Sequence, residues 1–237
     1  MGVSCVHLTN VHDEGDFPML TRRHFIATSA ALFSAPIAGP VLAAGRPSEA
    51  QKAAWDAMVT PPGYDPATTN PWGLHPRFLP QRVEARGDLL PGDIHVDAVA
   101  RYLYHIEQGG TAMRYGVSIG RAGLYEPGTY TIRRKMEWPR WTPTKSMIER
   151  EPELYAQYED GMEPGPQNAL GSRALYLYVG NRDTYLRIHG TPSPQSIGGR
   201  ASSGCVRMAM PHINDLYEHV DTGVTAYLYP PEADGLA

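Results

Sequence analysis

Two side chains in this 237-residue sequence suit nucleophilic acyl transfer: His189 and Cys205. They lie in the stretch YLRIHGTPSPQSIGGRASSGCVRM, Tyr185 to Met208, with fifteen residues between them. A free thiol, with a pKa of about 8.5, is only slightly ionised at neutral pH. A neighbouring imidazole can take its proton, releasing the nucleophilic thiolate, and later pass that proton to a leaving amine. Gly204 lets the backbone approach a substrate closely, and the amides around Gly204 and Cys205 could face a developing oxyanion. Alone, Cys205 would read as a small buried hydrophobe and His189 as a satisfied polar residue. Together, in a frame of glycine and serine, they read as a site.

The elements that must hold this pair are mostly strands. TYLRIHG ends an apolar run, so a sheet sets the direction of His189, and the loop that follows folds back to bring Cys205 near. GTYTIRRKMEW, ALYLYVG and TAYLYP are further strand patterns, rich in Tyr, Ile, Val and Leu. IHVDAVARYLYHIE and TAMRYGVSIG, separated by Gln-Gly-Gly, predict two strands around a tight turn. In Ala174 to Val179, leucines alternate with Tyr176 and Tyr178, so one face should bury aliphatics. Helices are few: a piece over Glu49–Val59, another over Ser146–Tyr158 broken near Pro152, and a third over Pro211–Val220 with Ile213, Leu216, Tyr217 and Val220 on one face. The fold class expected is mainly β, a sandwich or barrel-like domain with a few short helices.

Other polar clusters carry less. Asp93, His95 and Asp97 alternate on a strand and could ligate a metal, but the period-two pattern predicts a solvated polar face. His212 and His219 share a helix face and are expected to be exposed. There is no HExxH, no paired CxxC and no phosphate-binding glycine loop. Neither metal nor organic cofactor is expected. The formal charge is −4 without a Lys/Arg block, which gives nucleic-acid binding little support.

Near the start, Arg22 and Arg23 precede an apolar run that ends in small residues around Ala43 and Ala44. That is a secretory signal, of the twin-arginine kind by its Thr-Arg-Arg-His-Phe-Ile order. Met19 reads as the true start. Cleavage near Ala44 would leave roughly 193 residues, enough for one cored domain, and would remove Cys5. Cys205 would then be the only cysteine, a free thiol in an oxidising compartment. No later segment is long and apolar enough for a transmembrane span. The expected organisation is a signal region over 1–44, a helix-prone and Pro-rich arm over 45–90, and a catalytic domain over 91–232.

His189-Gly190-Thr191, Ser196-Ile197-Gly198 and Ser202-Ser203-Gly204-Cys205-Val206-Arg207 together resemble the active-site signature of the L,D-transpeptidase family, the YkuD-type catalytic domain. RYGVSIG, KMEWPRWTP and GPQNALGSRALYL resemble its Gram-negative members, and the likeness covers about residues 80–230. The resemblance implies a periplasmic enzyme whose partners are peptidoglycan stem peptides, donor and acceptor. Cys205 would be the nucleophile and His189 the base, giving a thioester and then diaminopimelate–diaminopimelate cross-links, with carbapenems as acylating agents. It implies oxyanion or loop roles for Ser203 and Gly204, and substrate contacts for Arg207, Gly190 and Ser202. Ser203 departs from the pattern, because most of the family has a second histidine there. An L,D-carboxypeptidase, a protein-anchoring variant and a catalytically impaired peptidoglycan-binding module remain as alternatives. A papain-like thiol hydrolase would need a different frame around the cysteine.

Overall fold

Leu175 and Leu177 are fully buried on one face of Arg173–Val179, as their alternation with tyrosines predicts. The computed structural model describes residues 46–231, so the twin-arginine run and its cleavage region lie outside the described residues. Eleven strands are present there: β1 (Gln81–Glu84), β2 (Ile94–Asp97), β3 (Tyr102–Ile106), β4 (Thr111–Gly116), β5 (Ile119–Gly120), β6 (Gly128–Glu137), β7 (Arg173–Val179), β8 (Arg182–Thr191), β9 (Arg200–Ser202), β10 (Val206–Ala209) and β11 (Thr225–Leu228). Nine form a mixed sheet in the order β1-β4-β3-β2-β11-β6-β7-β8-β10, while β5 and β9 pair separately. The mainly β, sandwich-like expectation holds. No barrel closes, since β1 and β10 remain edges.

The helices are α1 (Glu49–Val59), α2 (Lys145–Arg150), α3 (Pro152–Tyr155) and α4 (Met210–His219). Pro211 sits in the first turn of α4, where its missing N–H is harmless. Ile213 and Leu216 of α4 are fully buried and join Leu175, Ile188 and Met208 in one core cluster. That cluster backs the strands carrying His189 and Arg207.

Three expectations change. IHVDAVARYLYHIE is two strands, not one. The Asp97 carboxylate accepts the N–H groups of Val99 and Ala100 at 2.9 and 2.8 Å, and Arg101 takes a φ of 66°, so the chain reverses. Asp93 and His95 are buried, not solvated, because β2 is an interior strand between β3 and β11. His95 stacks on Tyr227 and bonds the Tyr229 hydroxyl at 2.8 Å through Nδ1, and Asp93 accepts the Thr225 N–H. His212 is fully buried under Trp72 and beside Tyr115, whereas His219 is exposed as expected.

The N-terminal stretch packs onto the sheet. Ser48 caps α1 by accepting the Gln51 N–H. Asp56 forms a two-pronged pair with Arg173 at 2.9 Å, and the Trp55 and Trp138 rings lie 5.1 Å apart. Further along, Leu74 and Phe78 pack with Ile197 and Ala209. A Cβ at Gly198 would collide with the Phe78 ring at 2.4 Å, and Gly198 has a φ of +89°, so glycine is required there twice over.

Candidate active site

Strands β8 and β10 run parallel, with Val206 opposite Ile188 and Arg207 opposite His189. Extending that register by one residue sets Cys205 beside Arg187. Side chains alternate along a strand, so Arg187 and His189 of β8 and Arg207 of β10 project from one face, while Cys205 sits in the bend one residue before β10 with its sulfur against the Tyr185 carbonyl. Ile188, Val206 and Met208 point to the core on the other. Parallel pairing therefore brings the segment that carries Cys205 alongside the strand that carries His189, across the fifteen residues between them.

His189 is almost wholly buried, and its Nδ1 lies 2.6 Å from the Gly190 carbonyl. A carbonyl can only accept, so Nδ1 carries the proton and the Nε2 lone pair is left as the base. Burial holds the imidazole pKa down at about 3, helped by the nearby Arg207 and Arg187 charges and opposed by the Gly190 and Leu170 carbonyls. Cys205 is partly exposed and, among the described residues, the only cysteine. Its thiol points to the Tyr185 carbonyl at 3.7 Å instead of to the imidazole. Burial of the sulfur raises its pKa, while a backbone hydrogen bond from Arg187 and the charges of Arg187 and Arg207 pull the other way. Both groups rest in their neutral forms.

The two arginines differ. Arg187 is neutralised by Asp183 at 2.7 and 2.8 Å and lies over the Tyr176 ring. Arg207 forms no side-chain hydrogen bond or ion pair with any described residue, and its Nε is buried without a partner. An uncompensated guanidinium beside a thiol suits an anionic substrate group.

The loop before the nucleophile is braced from within. Ser202 is buried; its Oγ donates to the Cys205 carbonyl at 2.5 Å and accepts the Gly204 N–H at 3.2 Å. Gly204 has a φ of +128°, and a Cβ there would press on the Leu124 carbonyl at 3.0 Å. Gly190 faces α4, where a Cβ would meet Ile213 and Met210, so it lets the helix sit tight against the histidine strand. Ser203 turns to the hydroxyl of Tyr155 on α3, 3.0 Å away. Sequence reading missed Arg187, Tyr155 and Tyr185. Arg187 was findable, since it stands two residues before His189 on a strand. Tyr155 gave no signal, being 48 residues from Ser203 in sequence. Tyr185 takes a φ of +63° to aim its carbonyl at the sulfur, and such strain is invisible in a residue type. Among the described residues, no group of three or more His, Cys, Asp or Glu could hold a metal ion.

A thiol, a neutral imidazole and a guanidinium without a partner among the described residues, gathered where β8 meets β10, are the groups that cysteine acyl transfer uses. The model of the YkuD family, the L,D-transpeptidase catalytic domain, matches residues 91–228, and this chain belongs to that family. The probable L,D-transpeptidase YbiS of Escherichia coli (strain K12) is 31% identical over 190 residues, covering 74% of this chain and 56% of the relative. The chain thus spans about half the length of the curated relatives it matches. A solved structure from Brucella melitensis, described as a probable carnitine operon oxidoreductase, is 51% identical with a TM-score of 0.46, covering 62% of this chain and 91% of that one. An L,D-transpeptidase from Stackebrandtia nassauensis is 18% identical with a TM-score of 0.42, covering 64% and 61%.

Proposed function

We propose that this protein is a peptidoglycan L,D-transpeptidase that forms diaminopimelate–diaminopimelate cross-links through a thioester on Cys205. The supporting observation is the parallel register of β8 and β10, with Arg207 opposite His189 and Cys205 one residue before β10. Arg207 receives a carboxylate of the donor stem peptide. His189 Nε2 takes the thiol proton as Cys205 attacks the carbonyl of the diaminopimelate–D-alanine bond. The backbone N–H of Cys205 stabilises the oxyanion, that of Gly204 being already given to Ser202 Oγ. The C–N bond breaks, D-alanine leaves with the proton from His189, and the thioester remains. An amine of a second stem then attacks, gives its proton to His189, and the thiolate departs and is reprotonated.

The family membership and the unpaired guanidinium favour this reading over an impaired binding module. Export to the periplasm by the 1–44 segment belongs to the same proposal, and no helix of the described residues is long and apolar enough to cross a membrane. Incubation with a carbapenem, followed by intact mass measurement, should give one adduct that disappears in Cys205→Ala. Digests of wall material treated with the wild type should contain diaminopimelate–diaminopimelate dimers. An adduct without dimers would point to the carboxypeptidase or anchoring alternatives, and no adduct at any concentration would remove the enzyme reading.

A further inference from the structure

Residues 151–155 reach the nucleophile turn from outside, directly and through Arg121 just after β5. Tyr155 Oη lies 3.0 Å from Ser203 Oγ. Four residues earlier, Glu151 binds Arg121 through two contacts at 2.7 and 2.5 Å. Arg121 in turn donates its backbone N–H to the Ser202 carbonyl at 2.9 Å. Both ties converge on Ser202–Ser203, immediately before Gly204 and Cys205. The Tyr155 ring is itself braced, packing against Trp141 at a centroid distance of 6.2 Å.

This matters because a glycine turn has little intrinsic stiffness. Ser202 fixes its inner side. On the outer side, Ser203 carries the bond to Tyr155. Either hydroxyl can donate in this bond, so Tyr155 and Ser203 hold one another whichever carries the shared proton.

We propose that Tyr155 is a positioning residue for acyl transfer, its hydroxyl orienting Ser203 and through it the turn that presents Cys205. The inference rests on the transpeptidase reading above and assigns to a Ser–Tyr pair the place beside the nucleophile where the family pattern has histidine.

The test compares wild type, Tyr155→Phe, Ser203→Ala, Ser203→Thr and the Tyr155→Phe/Ser203→Ala double variant in carbapenem acylation followed by intact mass. A net hydrogen bond of about 1 kcal/mol predicts that Tyr155→Phe and Ser203→Ala each lower the maximal acylation rate roughly 3–10-fold. The half-saturating concentration should move by less than about twofold. The double variant should fall no further than the slower single variant, because both changes remove one interaction. Ser203→Thr, which keeps the hydroxyl, should stay near wild type. A wild-type rate in Tyr155→Phe, or single effects that multiply in the double variant, would overturn the proposal. Alkylation of Cys205 by iodoacetamide supplies a readout that needs no transpeptidase activity, and the same non-additive pattern is expected. If the wild type takes no carbapenem adduct, the function reading fails and the alkylation pattern alone decides the role of Tyr155.

Discussion

At the residue scale, the pair at the centre of the site rests uncharged. One cause acts on both members: burial disfavours the imidazolium and the thiolate alike. Arg207 adds a second influence, since its positive charge weakens the base while favouring the thiolate. An anion seated on Arg207 removes that charge and returns basicity to His189, so donor binding and base strength are linked. The resting state can be read directly. The rate of Cys205 alkylation by iodoacetamide should climb with pH through and beyond the ordinary thiol range, without a plateau near neutrality. A plateau below about pH 7, the mark of a preformed thiolate–imidazolium pair, would contradict this. Much of the pair was legible in sequence, because few residue types can do this chemistry. Their neutral state was not, because it depends on what surrounds them.

At the element scale, the loop between the two chemical residues is shaped by a segment far upstream. Phe78 lies 6% exposed against Gly198 and Gly116, with Leu74 and Ile197 beside it. Phe78→Ala should lower stability by about 3 kcal/mol, read as a shifted urea midpoint with an unchanged slope. It should also slow acylation of Cys205, because the loop over 192–199 loses the wall it lies against. A variant with full stability and full acylation would show that the arm is a bystander. The strands and α4 were legible from their periodicity, β7 above all. The arm was not, since proline-rich composition predicts extended chain but names no partner. The turn at Asp97 was missed for a related reason: a continuous run of strand formers conceals one side chain that caps its own backbone.

At the scale of the whole molecule, the two most strongly shifted of the buried histidines should make the fold sensitive to acid. His189 and His212 are held at about 3 and about 4, chiefly by burial, against an ordinary value of 6.5. Among the described residues, neither ring nitrogen of His212 has a hydrogen-bond partner. Their folded pKa values are depressed, so their contribution is fully present above pH 6.5. It is lost progressively as pH falls toward the folded values, because the unfolded chain takes up protons first. Each histidine costs roughly 2 kcal/mol by pH 5 on this reckoning. The melting temperature should therefore drop by roughly 8–16 °C between pH 7.5 and 5. His212→Phe should recover about half of that loss without abolishing acylation. A pH-independent melting temperature would refute the assignment.

The sequence by itself determined the reactive residue types, the strand and helix periodicities and the family likeness, because each is carried by local spacing and side-chain chemistry. Only the tertiary structure decided that His212 and His95 are enclosed, that Arg207 has no counter-ion among the described residues and that Tyr155 meets Ser203. Those properties depend on which distant segments pack together, and burial and pairing belong to the packed chain as a whole.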